Sequence, residues 1–427
     1  MGTGIDDDAL RLVFEEFTCG EPWKWPDAEY DQNVAQRPFL LAAVSRRWRT
    51  LALETATIWT YFGFPGDAEL YPKHSERLRV LLTASKNALV DINVTLGTPY
   101  DFNNAIITQS AKAGVDVLEA LGRIGLRWRN VRFRLPSEAT SHLRPALESP
   151  MPNLISLSAV TSVEWNMLPL APQLEQLYVE WDAFSARSEV SLPSWHYPAL
   201  SSFAVMGESL AIAISTQNLD TLTHVSFIHD MHHPPKDPLQ FPQLLSLVLD
   251  DARFLPHIRA PRLLRLGVSG SGHFDSLHNF SGFATVESLA LFGYVGDDVA
   301  KSLWAMSSVQ MLDFHTPVCV QTCFIRDTEY AVSASFFCSL NEDPRGLTWP
   351  LLRGIRFRKP NRDGAASGCD DYDLLEFVRK RNTKYALAQQ TARIQEIILD
   401  HPDAISQDTA EAVAELATLR ETYYVAT

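Results

Sequence analysis

The chain has 427 residues, 46% of them hydrophobic and 21% charged, with a formal net charge of −14. That length exceeds one ordinary globular core and predicts two domains or a repeat array. The acidic balance argues against a general binder of nucleic acid or of anionic membrane, because neutralising phosphates needs a basic surface. Cys19, Cys319, Cys323, Cys338 and Cys369 are odd in number and irregularly spaced, which points to a reducing compartment rather than a disulfide framework. The start, MGTGIDDD, lacks the basic segment of a signal peptide, and Asp6 stands where a myristoylation signal carries Ser or Thr. No run of eighteen apolar residues predicts a membrane span. A cytoplasmic or nuclear protein is the expectation.

In chain order, DDDALRLVFEEF reads as a helix whose apolar face is Leu10, Val13, Phe14 and Phe17, with Asp6 to Asp8 at its favourable N-terminal end. Residues 18–37 read as an inserted loop. Residues 39–53 read as one helix with Pro38 at its N-terminal edge; Leu41, Val44, Trp48, Leu51 and Ala52 share one face, and Arg46, Arg47 and Arg49 point elsewhere. A helix follows over 74–88 (Leu78, Leu81 and Leu82 inward), then an alternating strand over 89–96 and a helix over 104–122.

From residue 128 a pattern recurs: apolar, two variable, apolar, one variable, apolar. Clear copies begin at Leu154, Leu174, Leu200, Leu222, Leu244, Leu263 and Val286, with weaker ones at Trp128, Val309, Leu352 and Ile394. Between Leu154 and Val309 the steps are 20, 26, 22, 22, 19, 23 and 23 residues, near the leucine-rich-repeat period of about 20–29. The step from Val309 to Leu352 is 43, about two periods. The last two apolar positions are two apart and so share one face of a strand. A proline stands two residues before the first apolar position at Pro152, Pro172, Pro198, Pro242, Pro261 and Pro350, suited to a turn entering a strand. Where such repeats usually carry Asn or Cys, this chain has Ser162, Asp182, Glu208, Asp230, Ala252, Ser271 and Tyr294, which predicts an irregular solenoid. Residues 360–371 have loop composition; the segment YDLLEFVRKRN and residues 407–421 read as helices that cap the open end of the array.

The N-terminal residues resemble an F-box, in the variant common in large fungal families. Ile5 to Phe14 align with the family's first helix, Leu-Pro-x-Glu-Ile-Leu-x-x-Ile-Phe, with Asp6 in place of its Pro. Val44, Ser45, Arg46, Arg47 and Trp48 align with Val-Cys-basic-basic-Trp; Leu51 with Ala52 and Ile58 with Trp59 align with its two later pairs. The resemblance implies that residues 1–65 bind a Skp-type adaptor and, through it, a cullin–RING ubiquitin ligase. The adaptor-binding residues it implies are Ile5, Leu10, Val13, Phe14, Leu41, Val44, Arg46, Arg47, Trp48, Leu51 and Trp59, with the arginines either facing an acidic adaptor surface or merely solvated. Residues 66–150 are then a helical and strand connector and the N-terminal start of the solenoid, and 151–427 form an irregular leucine-rich-repeat solenoid with C-terminal capping helices, which selects a protein substrate.

Motifs for catalysis are sparse: no phosphate loop and no nucleophile elbow. Gly267, Gly270 and Gly272 have the wrong spacing for a dinucleotide fingerprint and read as a turn. His224, His229, His232 and His233 straddle a strand and a Pro-rich loop rather than converging on a metal. Cys319 and Cys323 lack a second pair and read as buried free thiols. The expectation is therefore an α/β, non-catalytic receptor without cofactor or metal. Its partner surface is the outward row of the parallel sheet: Tyr178, Glu180, His224, Asp250, Arg265, Phe292, Asp313, His315, Arg356 and Arg358. The alternative is a repeat scaffold whose N-terminal motif no longer recruits a ligase.

Overall fold

The computed structural model describes residues 5–19, 31–65, 71–96, 105–135, 139, 142–161, 169–181, 189–192, 197–206, 211–214, 220–228, 238–269, 283–292, 294–303, 306–314, 331–332, 334–341, 349–357, 371–384, 392–400 and 405–421. The chain divides into two compact units, Met1–Thr221 and Leu222–Thr427. Each is α/β, with a parallel sheet whose strands pair in chain order while short strands between them pair separately, an arrangement compatible with a solenoid.

The first unit opens with three helices, α1 (Asp7–Thr18), α2 (Gln32–Val44) and α3 (Arg46–Glu54). Its sheet runs β1 (Tyr61–Phe64), β2 (Val90–Thr95), β3 (Trp128–Arg134), β4 (Ser156–Thr161), β5 (Gln176–Trp181) and β7 (Ser202–Met206), all parallel, while β6 (Glu189–Leu192) pairs apart with β8 (Ala211–Ile214). Helices α4 (Tyr71–Ala84) and α5 (Ala105–Gly122) are crossovers between β1, β2 and β3. In the second unit the order is β9 (His224–Ile228), β11 (Ser246–Leu249), β13 (Arg265–Ser269), β14 (Ser288–Phe292), β16 (Met311–Phe314), β18 (Gly354–Phe357), β19 (Glu396–Leu399) and β20 (Thr418–Glu421). Two small parallel pairs accompany it, β10 (Leu239–Gln240) with β12 (Ile258–Arg259) and β15 (Tyr294–Val295) with β17 (Ala331–Val332).

The sequence repeat and the strand register coincide. The middle apolar position aligns Ile92, Val131, Leu157, Leu177 and Phe203 in one unit, and Val225, Leu247, Leu266, Leu289, Leu312, Ile355 and Ile397 in the other. All of these side chains are buried. The last apolar position forms a second buried row, from Val94 to Val205 and from Phe227 to Leu399. Since side chains alternate across a strand, burying these two rows fixes the register of the whole ladder.

A third apolar position went unread in the sequence. Met151, Ala171, Tyr197, Phe241, Ala260, Phe283, Met306 and Trp349 each stand three residues before the first apolar residue of a repeat, and all are buried. The carbonyl of each accepts the N–H of that first apolar residue, for example Leu174 to Ala171 at 3.0 Å and Leu352 to Trp349 at 2.9 Å. This is a four-residue turn, and the recurring proline occupies its second position, where a fixed φ near −65° is favoured and no N–H is needed. Phe283 and Trp349 hold left-handed backbone (φ 61° and 50°), which burial must compensate.

Several expected boundaries are corrected. The segment read as one helix over 39–53 is two, broken at Ser45, and the first begins at Gln32, inside the stretch read as loop, with Pro38 in its interior. Ser45 is extended (φ −156°, ψ 170°), and its hydroxyl accepts the Trp48 N–H, so the chain restarts a helix in a new direction. Residues 407–421 are not one helix: the helix Gln407–Ala414 gives way to β20, which pairs with β19 as one more strand of the sheet. The helix read in YDLLEFVRKRN spans Asp371–Arg379 and continues as one π turn through Lys384. There Asn382 bonds the Ile394 N–H and the carbonyls of Ile394 and Leu416. The expectations for residues 360–370, Cys319, Cys323, His229, His232, His233, Gly270 and Gly272 lie outside the described residues.

Trp349 is fully buried, and its Nε1 donates to the Leu303 carbonyl at 3.0 Å. Trp349→Ala is expected to cost about 3–5 kcal/mol, whereas Pro172→Ala, acting through the unfolded chain, should cost about 1 kcal/mol or less. Denaturant titration of the two variants checks the contrast.

Candidate functional site

Two surfaces carry chemistry beyond the fold: the N-terminal helices and the outward face of the sheet. Each N-terminal helix is capped by its own side chain. Asp6 accepts from the Asp7 N–H, Asp31 from the N–H groups of Asn33 and Val34, and Ser45 from that of Trp48. Leu10, Phe14, Ala35, Leu41, Leu51, Ala52, Ile58 and Trp59 form the packed interior. Trp48, half-buried, lies 5.0 Å from Phe14 by ring centroid, and Trp59 donates through Nε1 to the Ala52 carbonyl at 2.6 Å.

The arginines stitch these helices together. Arg47 donates to Asp7 Oδ1 through Nε (2.9 Å) and Nη2 (2.5 Å), and to the Ile5 carbonyl. Arg11 reaches Asp8 at 2.8 Å and Glu54 at 3.0 Å, and Arg49 donates to the Ala42 carbonyl at 3.0 Å. Arg46 alone of the three in RRWR is exposed with no side-chain partner among the described residues. Arg47 thus clamps the start of α1 to α3 while its side chain stays half exposed.

With these groups satisfied, apolar side chains are left in water. Ile5 (60% exposed), Leu12 (67%), Val13 (52%), Phe17 (46%), Leu40 (56%) and Val44 (60%) all belong to α1, α2 or the residue leading in. Arg37, Leu40 and Val44 fall on one stripe of α2 at i, i+3 and i+7, and the Arg37 guanidinium lies 5.8 Å over the Phe17 ring, bringing that stripe up to α1. A shallow depression is lined by Leu12, Val13, Glu15, Glu16 and Cys19. Isolated exposed apolar residues are ordinary, but a grouped set with a polar rim marks an interaction surface.

The residues expected to meet a partner here therefore divide. Ile5, Val13, Val44 and Arg46 are exposed; Leu10, Phe14, Leu41, Leu51 and Trp59 are interior. The break at Ser45 puts Trp48 on a separate helix from Val44, and Val44, at the end of α2, is exposed while Leu41 on the same helix is buried. Leu12 and Leu40 were not singled out from the sequence; both sit beside interior residues, and only the packing shows which side is left open.

The outward face of the sheet is less open than expected. Tyr178 is 1% exposed and donates to Glu180, itself buried, at 3.0 Å. Phe292 and Asp313 are buried as well. Arg129 forks onto both oxygens of Asp91 (2.9 and 2.6 Å), and Asn130 adds a third bond. Arg356 forks onto Asp400 in the same manner (2.9 and 3.1 Å). Asp250 is half-buried at the end of β11, and His315 and Arg358 lie outside the described residues.

His224 and Arg265 are exposed, and they meet across the intervening strand at 3.1 Å between Nε2 and Nη2. A guanidinium only donates, so Nε2 accepts; the ring proton then sits on Nδ1, 2.9 Å from Thr223 Oγ1. Partial desolvation, and then the Arg265 charge, hold this imidazole below its ordinary pKa.

No group of three or more His, Cys, Asp or Glu able to hold a metal occurs among the described residues, and none of the described helices is long and apolar enough to cross a membrane. No family model matches the chain, and no curated protein is significantly similar to it.

The Arg47 and Asp7 side chains are each about half exposed, so the clamp contributes about 0–1 kcal/mol and is screened by salt. Arg47→Ala should leave global stability within about 1 kcal/mol but speed amide hydrogen exchange at the start of α1, an effect that shrinks in high salt.

Proposed function

We propose that the protein is the substrate-binding subunit of a Skp–cullin–F-box type ubiquitin ligase, its first three helices docking a Skp-type adaptor and its repeats, read as leucine-rich, holding a protein substrate. The observation that carries this is the exposed apolar set on α1 and α2, on the segment whose residues resemble an F-box. A small bundle gains stability by covering such a surface, and a partner helix is the natural cover. Asp6, in the place of the family's Pro, serves as the N-cap of α1, so the substitution is compatible with the helix the motif needs. Ubiquitin transfer would belong to the partner subunits, and the cytoplasmic or nuclear location of such ligases comes with the same proposal. The fine character of the N-terminal helices and of the repeats is part of this reading.

The alternative, a scaffold that recruits no ligase, makes the opposite forecast in one experiment. Co-expression with a Skp-type adaptor should yield a complex that co-purifies. Val13→Asp with Val44→Asp, both on exposed positions, should abolish capture while leaving the thermal midpoint within a few degrees of the parent. Leu41→Asp, by contrast, should unfold the bundle, because it buries a charge. Folded parent protein that captures no adaptor decides for the scaffold.

A further inference from the structure

The first strand position of each repeat forms a row across the outward face of the second unit. By register, His224, Ser246, Arg265 and Ser288 are successive members of it, on β9, β11, β13 and β14. Adjacent parallel strands lie about 4.8 Å apart, so the four side chains span about 14 Å.

Arg265 is the exception among the face's arginines. Arg129 and Arg356 are neutralised by carboxylates, whereas Arg265 contacts a neutral imidazole nitrogen, and no carboxylate among the described residues pairs with it. Asp250, after β11, and Glu287, before β14, are the acids flanking the two neighbouring strands, and no ion pair joins either to Arg265 among the described residues. Ser246 and Ser288 flank Arg265 on either side, half-buried, and their hydroxyls have no hydrogen-bond partner among the described residues. The next row along the same strands holds Ser226, Val248, Gly267 and Ala290, and the first three of these are buried. In a chain of net charge −14, Arg265 is a local cation on the exposed row, with hydroxyls beside it.

We propose that His224, Ser246 and Arg265 form an oxyanion subsite that takes one acidic group, a phosphate monoester or a carboxylate, of an extended peptide laid across the strands. It rests on reading this face as the substrate surface. Arg265 supplies the charge and the fork, and Ser246, on the strand between Arg265 and His224, supplies a neutral donor. His224 adds a coupled proton. In the empty site Arg265 opposes its protonation; an anion placed between them favours it, so binding draws a proton onto the ring. Affinity for an anion of fixed charge therefore rises as pH falls.

The test uses the full chain with isotopically labelled histidine. The His224 ring signals are assigned by their loss in His224→Gln. Sodium sulfate, dianionic throughout the range, is titrated against sodium chloride of equal ionic strength. Sulfate should shift the His224 signals and raise the pH at which the ring titrates, and Arg265→Met should weaken the response at least about tenfold. A response to sulfate no larger than to chloride, or one that survives Arg265→Met in a folded variant, overturns the proposal. Two short Gly/Ser peptides then separate the sources, one with a central phosphoserine and one with glutamate. Tighter displacement by the first assigns a phosphate, equal displacement assigns any acid, and displacement by neither overturns the peptide assignment. A chain that passes the sulfate test yet captures no adaptor loses the ligase reading and keeps the subsite; the reverse result loses only the subsite.

Discussion

In most of the repeats one carbonyl accepts two successive N–H groups from the repeat that follows. Ile155 serves Glu175 and Gln176, Leu264 serves Glu287 and Ser288, and Gln310 serves Arg353 and Gly354. The forked bond sits where each turn enters its strand, so it fixes which residue of one repeat stands opposite which residue of the next. Once that is set, the two inward rows fall on one side and the polar row on the other. Between Leu154 and Val309 the shortest and longest steps, 19 and 26 residues, enter their strands through the same geometry.

The same constraint explains what was legible in the sequence. Apolar residues two apart on a strand must face one way, so the repeat, its strands and the weaker copies at Val309, Leu352 and Ile394 could be read directly. The prolines marked the turns for the same reason. The buried turn-opening residues were missed because they vary from Ala171 to Trp349, and a periodic search on leucine does not register them. Strand β1 was missed because it is four residues long and carries Gly63. The last strand hid within a helical pattern, since Val413, Leu416 and Leu419 follow one another at helical spacing.

At the candidate sites the sequence located the elements but not their open sides. A single unbroken helix through Ser45 would place Val44 with Leu41 and Trp48; one extended residue instead puts Trp48 on a separate helix. On the sheet, alternation correctly put Tyr178 and Asp313 opposite the apolar rows, yet alternation cannot tell an outward position from an exposed one. His224 and Arg265 are exposed, while Ser226 and Gly267, two residues further along the same strands, are buried, a difference that alternation does not show.

Pairing restricted to neighbours along the chain also bears on how the protein is made. Each sheet strand finds its partner about one repeat, or a few tens of residues, upstream, so a nascent chain need not wait for its far end before adding the next strand. Synthesis would lay the strands down in the order in which they pair, with each new repeat closing over the apolar edge left by the one before. The exposed edge at any moment is then a single strand wide, which keeps the growing polypeptide's sticky surface small throughout translation.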